Sequence, residues 1–239
     1  MITAASIFGA GLAVTAWASQ SSDSDVYESA IQGQLLVSAD GQTITFTAGW
    51  SCERKPELAV RESSQSVKVS LRHKKLSGLC DPGGYARITA HLHSPLGTKS
   101  LVDATTGGAI VHFDGRNLAQ PTYLPDHYQP FSADEVAQLP SLPPFPADVP
   151  NWATGYRYAS DTHPGSSLLI RQAMGTFVES TGQGPTMVNG HPAVLSNADP
   201  KLGPRTLTWA DGTFTYSIST GTPSLLSDQD LIRIAEGLK

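Results

Sequence analysis

The closing segment of the chain, Arg205 to Lys239, constrains the fold more strongly than any other stretch. Apolar and polar residues alternate on both sides of Asp211-Gly212, a pattern typical of two half-buried strands joined by a type I′ turn. Ser227 and Asp230 then resemble a capping box, and apolar residues recur on one helical face beyond them: Leu231, Ile234, Ala235 and Leu238. The segment therefore predicts a tight hairpin followed by a helix that covers an antiparallel sheet.

Short alternating strands fill residues 33–120. Leu35 to Val37 and Ile44 to Phe46 flank Asp40-Gly41 as a second hairpin, and clean alternation returns at Val67, Val69 and Leu71. Strands of this length and spacing are typical of a β-sandwich or a partial barrel. The predicted fold is therefore mainly β, with an α+β part at the carboxyl end of the chain.

The only two cysteines are Cys52 and Cys80. An even number of cysteines favours a disulfide where a chain is exported, and closing a loop of about 29 residues is expected to stabilise the fold by about 3 to 4 kcal/mol. The alternative is a pair of separate buried thiols. We predict that the disulfide links parts of the amino-terminal β domain.

Proline dominates the segment from Pro121 to Pro150, which holds eight of the 17 prolines in the chain. Proline fixes φ and lacks a backbone donor, so the sequence predicts a semi-rigid linker here and not a sheet strand. This linker, 121–150, divides a β domain at 33–120 from a sheet-plus-helix domain at 151–239.

The amino-terminal segment is apolar. Ile2 to Ala18 contains no charged residue, and Ala16-Trp17-Ala18 has the small-x-small form of a signal-peptidase site. A polar lead-in, 19–32, follows. Residues 1–18 are interpreted as a cleaved signal peptide, with a retained membrane anchor (residues 2–18) or a buried helix as alternatives. A cleaved signal peptide predicts a secreted protein, and a retained anchor predicts a membrane-anchored one. Both interpretations make the protein extracytoplasmic.

Charge argues against nucleic-acid binding. The chain has 16 Lys and Arg against 21 Asp and Glu, a formal charge of −5, and so lacks the basic surface that nucleic acids require. One basic cluster, Arg72 to Lys75, has a composition suited to anionic lipid or a cell-wall polymer. A solvated hairpin tip is the alternative for this cluster.

Histidines supply a candidate metal site. His91 and His93 lie two residues apart on a predicted strand, and His112 on a nearby strand is a candidate third ligand for zinc or copper. Arg87 shares the parity of the first two, which favours a solvent-facing side with ordinary exposed histidines. A metal-assisted enzyme is therefore kept only as an alternative, and no resident cofactor is predicted.

A serine hydrolase is disfavoured by the sequence. There is no G-x-S-x-G motif, and the nearest grouping, Asp161, His163 and Ser166, is too local because triad members normally come from separate elements. No catalytic residue is predicted.

Aromatic residues concentrate in the carboxyl-terminal domain. Most should be core, because a small domain needs large side chains to bury enough area. A groove between sheet and helix is the default binding site, and its candidate residues are Trp152, Tyr156, Tyr158, Trp209 and Tyr216.

Three segments near the carboxyl end resemble a recurrent pattern of exported bacterial domains of unknown function, related to the lipoprotein-carrier and sigma-factor-regulator group. They are Val188 to Leu195, Leu207 to Tyr216 and Leu226 to Leu238, within about the last 55 residues. The run from Pro95 to Gly107 also resembles actinobacterial sequences. The resemblance implies an extracytoplasmic domain that binds an apolar, lipid-like ligand or a partner protein through a curved sheet, and it assigns no site residue.

Together these patterns predict a non-enzymatic binding, sensing or assembly protein of the bacterial cell envelope. An accessory subunit of a membrane complex, anchored by its amino-terminal segment, is the second alternative to this function.

Overall fold

The computed structural model describes residues 25–76, 83–132, 145–146, 148–159, 166–177, 185–197, 204–221 and 224–239. Within these ranges the chain is mainly β, as predicted, and its strands form three sheets. None of the helical structure in these ranges has the length and apolar character needed to cross a bilayer. The apolar segment 1–18 and Cys80 lie outside the described residues, so the predictions for them stay predictions.

The first unit contains eight strands within the described ranges. They are β1 (Val26–Ser29), β2 (Leu35–Val37), β3 (Thr43–Trp50), β4 (Glu57–Glu62), β5 (Ser66–Lys74), β6 (Gly84–His91), β7 (Ser100–Asp103) and β8 (His112–Asp114). One sheet has the order β6-β3-β2-β8. In the other, β4 pairs with one side of β5, while β1 and β7 pair with β5 at Leu71–Lys74 and Ser66–Val69 respectively.

The two sheets of the first unit share one apolar core. Ile44 and Phe46 of β3 lie in the same cluster as Val67 and Val69 of β5, and all four are almost fully buried. Alternation along each strand sends every second side chain into this core, as the sequence predicted. The hairpin at Asp40-Gly41 is confirmed, since β2 and β3 pair on either side of it and Gly41 has a φ of 73°.

The second unit is a seven-stranded antiparallel sheet with a helix on one face. Its elements are β9 (Tyr128–Pro130), β10 (Asn151–Tyr158), β11 (Ser167–Met174), β12 (Pro185–Val188), β13 (His191–Asn197), β14 (Arg205–Ala210), β15 (Phe214–Thr220) and α1 (Asp228–Glu236). The strand order is β12-β13-β14-β15-β11-β10-β9. Leu231 and Ile234 of α1 are fully buried against Leu207 and Ile218 of the sheet.

The predicted closing hairpin and capped helix are confirmed. Trp209 pairs with Tyr216, and their rings stack with centroids 5.0 Å apart. The Ser227 side chain accepts from the Asp230 amide, and the Asp230 carboxylate accepts from the Ser227 amide, so both halves of the capping box are present. These local interactions begin the helix where its apolar face meets the sheet.

The turn of this hairpin differs from the predicted type I′ turn. Gly212 has a φ of 98°, but Asp211 does not have a positive φ. The Asp211 carboxylate instead accepts from the amides of Thr213 and Phe214, each at 2.8 Å. An aspartate side chain can satisfy turn amides in this way without adopting left-handed backbone itself. By contrast, the turn between β12 and β13, Asn189-Gly190, has both residues at positive φ.

The segment interpreted as a linker contributes to the second sheet. Tyr128–Pro130 forms β9, which pairs with β10, and the Tyr128 side chain is buried. Proline is tolerated here because β9 is an edge strand, where one side of the backbone needs no partner. Gln120 also exchanges two backbone hydrogen bonds with Lys239. Part of the predicted linker is therefore sheet structure, whereas residues 133–144 lie outside the described part.

Polar side chains join the two units. Gln172 of β11, only 3% exposed, accepts from the Ala119 amide at 2.9 Å and donates to the Asn117 carbonyl at 2.8 Å. Gln34 likewise accepts from the Asn151 amide and donates to a neighbouring carbonyl. The side-chain amides of Gln172 and Gln34 thus satisfy backbone groups across the contact between the two units. These hydrogen bonds help to hold the two units in one relative position.

Replacing Gln172 with leucine is expected to lower the free energy of unfolding by about 2 kcal/mol, because buried backbone groups lose their partner. Urea denaturation monitored by tryptophan fluorescence measures the change. The control is Gln129→Leu, a substitution of an exposed side chain on β9, where a change within about 0.5 kcal/mol is expected. Equal effects of the two substitutions would show that the Gln172 hydrogen bonds contribute nothing specific.

Candidate functional site

The three candidate metal ligands do not come together. His91 lies on β6 and His112 on β8, the opposite edges of one four-stranded sheet, so about 14 Å of sheet separates their strands. His93 lies beyond the end of β6, where its Nδ1 is 3.0 Å from the Glu62 carboxylate on the facing sheet. No group of three metal-binding side chains occurs among the residues that the structure describes.

The side of β6 that carries Arg87 is mostly solvent-facing, as parity predicted, because Tyr85, Thr89 and His91 on it are exposed, but Arg87 itself is partly buried. The Arg87 guanidinium lies 4.9 Å from the Trp152 ring centroid of the second unit and donates to the Ala153 carbonyl. Burial lowers the pKa of this guanidinium. The second unit therefore covers Arg87 but not the rest of this face, and strand alternation does not reveal this long-range contact.

The five aromatic residues proposed for a groove are mostly core. Trp152, Tyr156 and Trp209 are 7%, 3% and 3% exposed, so they present little surface to a ligand. Tyr158 and Tyr216 are partly buried, and Tyr216 donates to the Asp211 carboxylate at 2.9 Å. Packing of the sheet against α1 and against the first unit accounts for this burial.

A different region gathers exposed functional side chains: the end of the first unit at which β3 and β5 both terminate. Glu53, shortly after β3, forms a bridge with Lys75, just after β5, and the Arg54 amide donates to the Lys74 carbonyl at 3.0 Å. β1 begins at the same end, because Val26 pairs with Lys74. The chain thus brings three distant segments to one place.

We call this region the aromatic-basic end, and its residues are Tyr27, Trp50, Tyr85, Arg54, Lys55, Lys74 and Lys75. Tyr27 and Tyr85 are 40% and 62% exposed, so both rings face solvent. The four basic residues are all exposed. The Lys75 ammonium lies 5.7 Å from the Tyr27 ring centroid, so cation and ring form a single surface.

Glycines on the paired strands make room for the rings of this end. A Cβ on Gly49 would lie 2.6 Å from the Tyr85 ring, and one on Gly84 would lie 3.0 Å from the Trp50 ring. Each ring therefore covers a glycine on the neighbouring strand, a cross-strand pairing that stabilises glycine in sheets. A shallow cleft lies among Gly49 to Ser51 and Gly83 to Tyr85.

A hydrogen-bonded chain of side chains lies at the same end. The Ser29 hydroxyl is 2.8 Å from Nε2 of His73, and Nδ1 of His73 is 2.8 Å from Oε2 of Glu53. Tyr27 donates to the other oxygen of Glu53. The Tyr27 ring also stacks on the imidazole, with centroids 4.8 Å apart and planes 8° from parallel.

Electrostatics keep the Glu53 carboxyl group ionised. The hydrogen bond from Tyr27 lowers its pKa most strongly, His73 and Lys75 lower it further, and burial opposes them. The same hydrogen bond, with burial and the nearby carboxylate charge, raises the pKa of Tyr27. An anionic glutamate therefore faces one ring nitrogen of a histidine whose side chain is only 9% exposed.

Sequence reasoning missed this chain of side chains. Ser29, Glu53 and His73 are far apart in the sequence and share no motif. Only the pairing of β1 with β5 and the bridge from Glu53 to Lys75 bring them together.

The described chain is therefore a mainly β protein of two packed units with a polar and aromatic site at one end of the first. Comparison of the chain with protein-family models, with curated proteins and with solved structures found no match.

Proposed function

We propose that this protein is an extracytoplasmic binding component of the cell envelope, and that its aromatic-basic end binds the anionic lipid surface of a membrane. The single observation that carries this proposal is the exposure of Tyr27 and Tyr85 beside four basic residues in a chain whose overall charge is −5.

The chemistry of this end matches a membrane surface. Tyrosine and tryptophan favour the interface between lipid and water, because their rings are apolar and their polar atoms remain hydrated. Each lysine or arginine near an anionic bilayer contributes about 1 kcal/mol of attraction. Among the described residues of this end, four basic side chains stand beside two carboxylates, those of Asp25 and Glu53.

The predicted role of the amino-terminal segment also supports an orientation in which the aromatic-basic end faces the membrane. β1 begins at the aromatic-basic end, so the chain leaves the first unit there toward residues 1–24. The seven residues from Ser19 to Asp25 span at most about 25 Å when extended. An anchor at residues 2–18 would hold this end against the bilayer, whereas a cleaved signal peptide would leave a peripheral protein.

The other predicted functions receive less support. A metal-assisted enzyme needs His91 and His112 within reach of one ion, and their strands lie at opposite edges of a sheet. A lipid-like ligand in the aromatic groove needs access to Trp152 and Trp209, which are buried. A role as an accessory subunit remains compatible with the proposal, because membrane contact is common to both.

Charge reversal at this end tests the proposal. Lys74→Glu is expected to weaken binding to phosphatidylglycerol-containing vesicles about 30-fold, since two units of charge at about 1 kcal/mol each are lost. The protein beginning at Ser19 is used, so that residues 2–18 do not insert, and vesicle co-sedimentation measures the affinity. Binding should also weaken as salt is added.

The matched control is Lys68→Glu, an equal charge change on the same strand about 20 Å from Lys74. It should reduce binding by less than about threefold, by the screening expected at that distance. Two results would contradict a specific membrane-facing end. One is an equal loss of vesicle affinity for Lys74→Glu and Lys68→Glu, and the other is binding of the unaltered protein to vesicles made only of neutral phosphatidylcholine.

A further inference from the structure

We propose that Ser29 is a nucleophile, activated by His73 and Glu53, that cleaves short-chain carboxylic esters at the aromatic-basic end. This inference goes beyond the proposed membrane binding and departs from the non-enzymatic role predicted from the sequence. It rests on the geometry of three side chains contributed by separate parts of the first unit.

The geometry has the connectivity required for nucleophilic catalysis. Ser29 on β1 is 2.8 Å from Nε2 of His73 on β5, and the opposite ring nitrogen is 2.8 Å from Glu53. A nucleophile, a base within hydrogen-bond reach and a third group that orients the base define this arrangement on unrelated folds. The grouping around Ser166 considered in the sequence analysis differs, because its members lie within a few residues of one another and do not come from separate elements.

The tautomer of His73 follows from its neighbours. An ionised Glu53 accepts the Nδ1 proton, so the lone pair of Nε2 points at the Ser29 hydroxyl, which donates to it. Tyr27 holds the second oxygen of Glu53 and stacks on the imidazole, which fixes both the carboxylate and the plane of the ring. Glu53 and Tyr27 are thus positioning residues, and His73 is the base.

The reaction balances with water as the only co-reactant. Ser29 Oγ bonds to the ester carbonyl carbon while its proton passes to Nε2 of His73. The ester C–O bond then breaks, and the alcohol leaves with that proton. Water attacks the acyl-serine with His73 again accepting a proton, and the carboxylic acid departs as Ser29 regains its hydrogen.

The surroundings of Ser29 limit the substrate. The serine is half-buried, and the Tyr27 ring stacked on the imidazole covers one face of His73 beside it. A surface of this kind accepts a short acyl group and offers a long chain little apolar contact. The substrate class is therefore a carboxylic ester with a short acyl chain.

A fluorophosphonate probe tests the nucleophile, because attack by an activated serine forms an O–P bond, releases fluoride and leaves a stable adduct. We expect a single adduct on the tryptic peptide that contains Ser29. Ser29→Ala should abolish it, whereas Ser66→Ala, a hydroxyl on β5 that contacts Ser63, should retain it. The variants that are labelled should also hydrolyse p-nitrophenyl acetate faster than Ser29→Ala does.

The role of Glu53 is tested by two substitutions. Glu53→Gln should slow labelling about 100-fold, and Glu53→Asp, which keeps the charge, should recover at least about a tenth of the rate. Circular dichroism confirms that each variant is folded. If both variants are folded and are labelled as fast as the unaltered protein, Glu53 has no part in activating the serine.

Failure of this inference is distinguishable from failure of membrane binding. Ser29→Ala should lose labelling and still bind phosphatidylglycerol vesicles with the affinity of the unaltered protein. Absence of a Ser29 adduct, under conditions in which a known serine esterase in the same tube is labelled, would overturn the proposal and leave the three side chains a structural network.

Discussion

Replacing Leu231 with alanine is expected to lower the free energy of unfolding by about 2 to 5 kcal/mol. Leu231 is fully buried between α1 and the seven-stranded sheet, in the same core as Leu207 and Ile218. The substitution removes apolar contacts and leaves a cavity that rigid strands cannot fill by collapse. Urea denaturation monitored by circular dichroism measures the loss.

The matched control is Gln229→Ala on the exposed side of the same helix. Alanine has the higher helix propensity, so this variant should be unchanged or slightly more stable, within about 0.5 kcal/mol. A Leu231→Ala variant as stable as this control would mean that α1 does not pack on the sheet in solution. The helix is nine residues long and too short to be stable without that packing.

Removing the predicted disulfide is the second change with a large expected effect. The Cys52→Ala, Cys80→Ala double variant should lose about 3 to 4 kcal/mol of stability relative to the oxidised protein. β3 and β6 pair antiparallel up to Trp50 and Gly84, so the chain leaves one strand and enters the other at the same end. This register supports a bridge between Cys52, two residues after β3, and Cys80, four residues before β6.

Two measurements make the disulfide prediction specific. Reducing agent should destabilise the unaltered protein by the same amount and leave the double variant unchanged. Alkylation of the unreduced, denatured protein should modify neither cysteine. Alkylation of both cysteines would contradict the disulfide and favour separate thiols.

Local pattern was sufficient for most elements of the fold. The alternation around Asp211-Gly212 predicted β14 and β15, and the capping residues Ser227 and Asp230 predicted the start of α1. These predictions hold because strand periodicity, turn residues and helix caps act within a few residues of one another. The details of the Asp211 turn were still wrong, since its side chain replaced a backbone conformation.

Long-range contacts decided what local pattern could not. Arg87 has the parity of an exposed residue, but Trp152 of the second unit covers it. Tyr128 lies in a proline-rich segment, but pairing with β10 makes that segment an edge strand. In each case the deciding partner lies far away in the sequence, where periodicity carries no information.

The sequence by itself determined that the chain is mainly β, where its hairpins turn, and that a short amphipathic helix closes it. Those features follow from the spacing of apolar side chains and from turn chemistry. Only the tertiary structure decided which side chains meet at the end of the first unit, because Ser29, Glu53 and His73 are joined by strand pairing across the fold. Burial of the predicted aromatic groove and exposure of Tyr27 and Tyr85 have the same cause: sheet packing selects which rings become core.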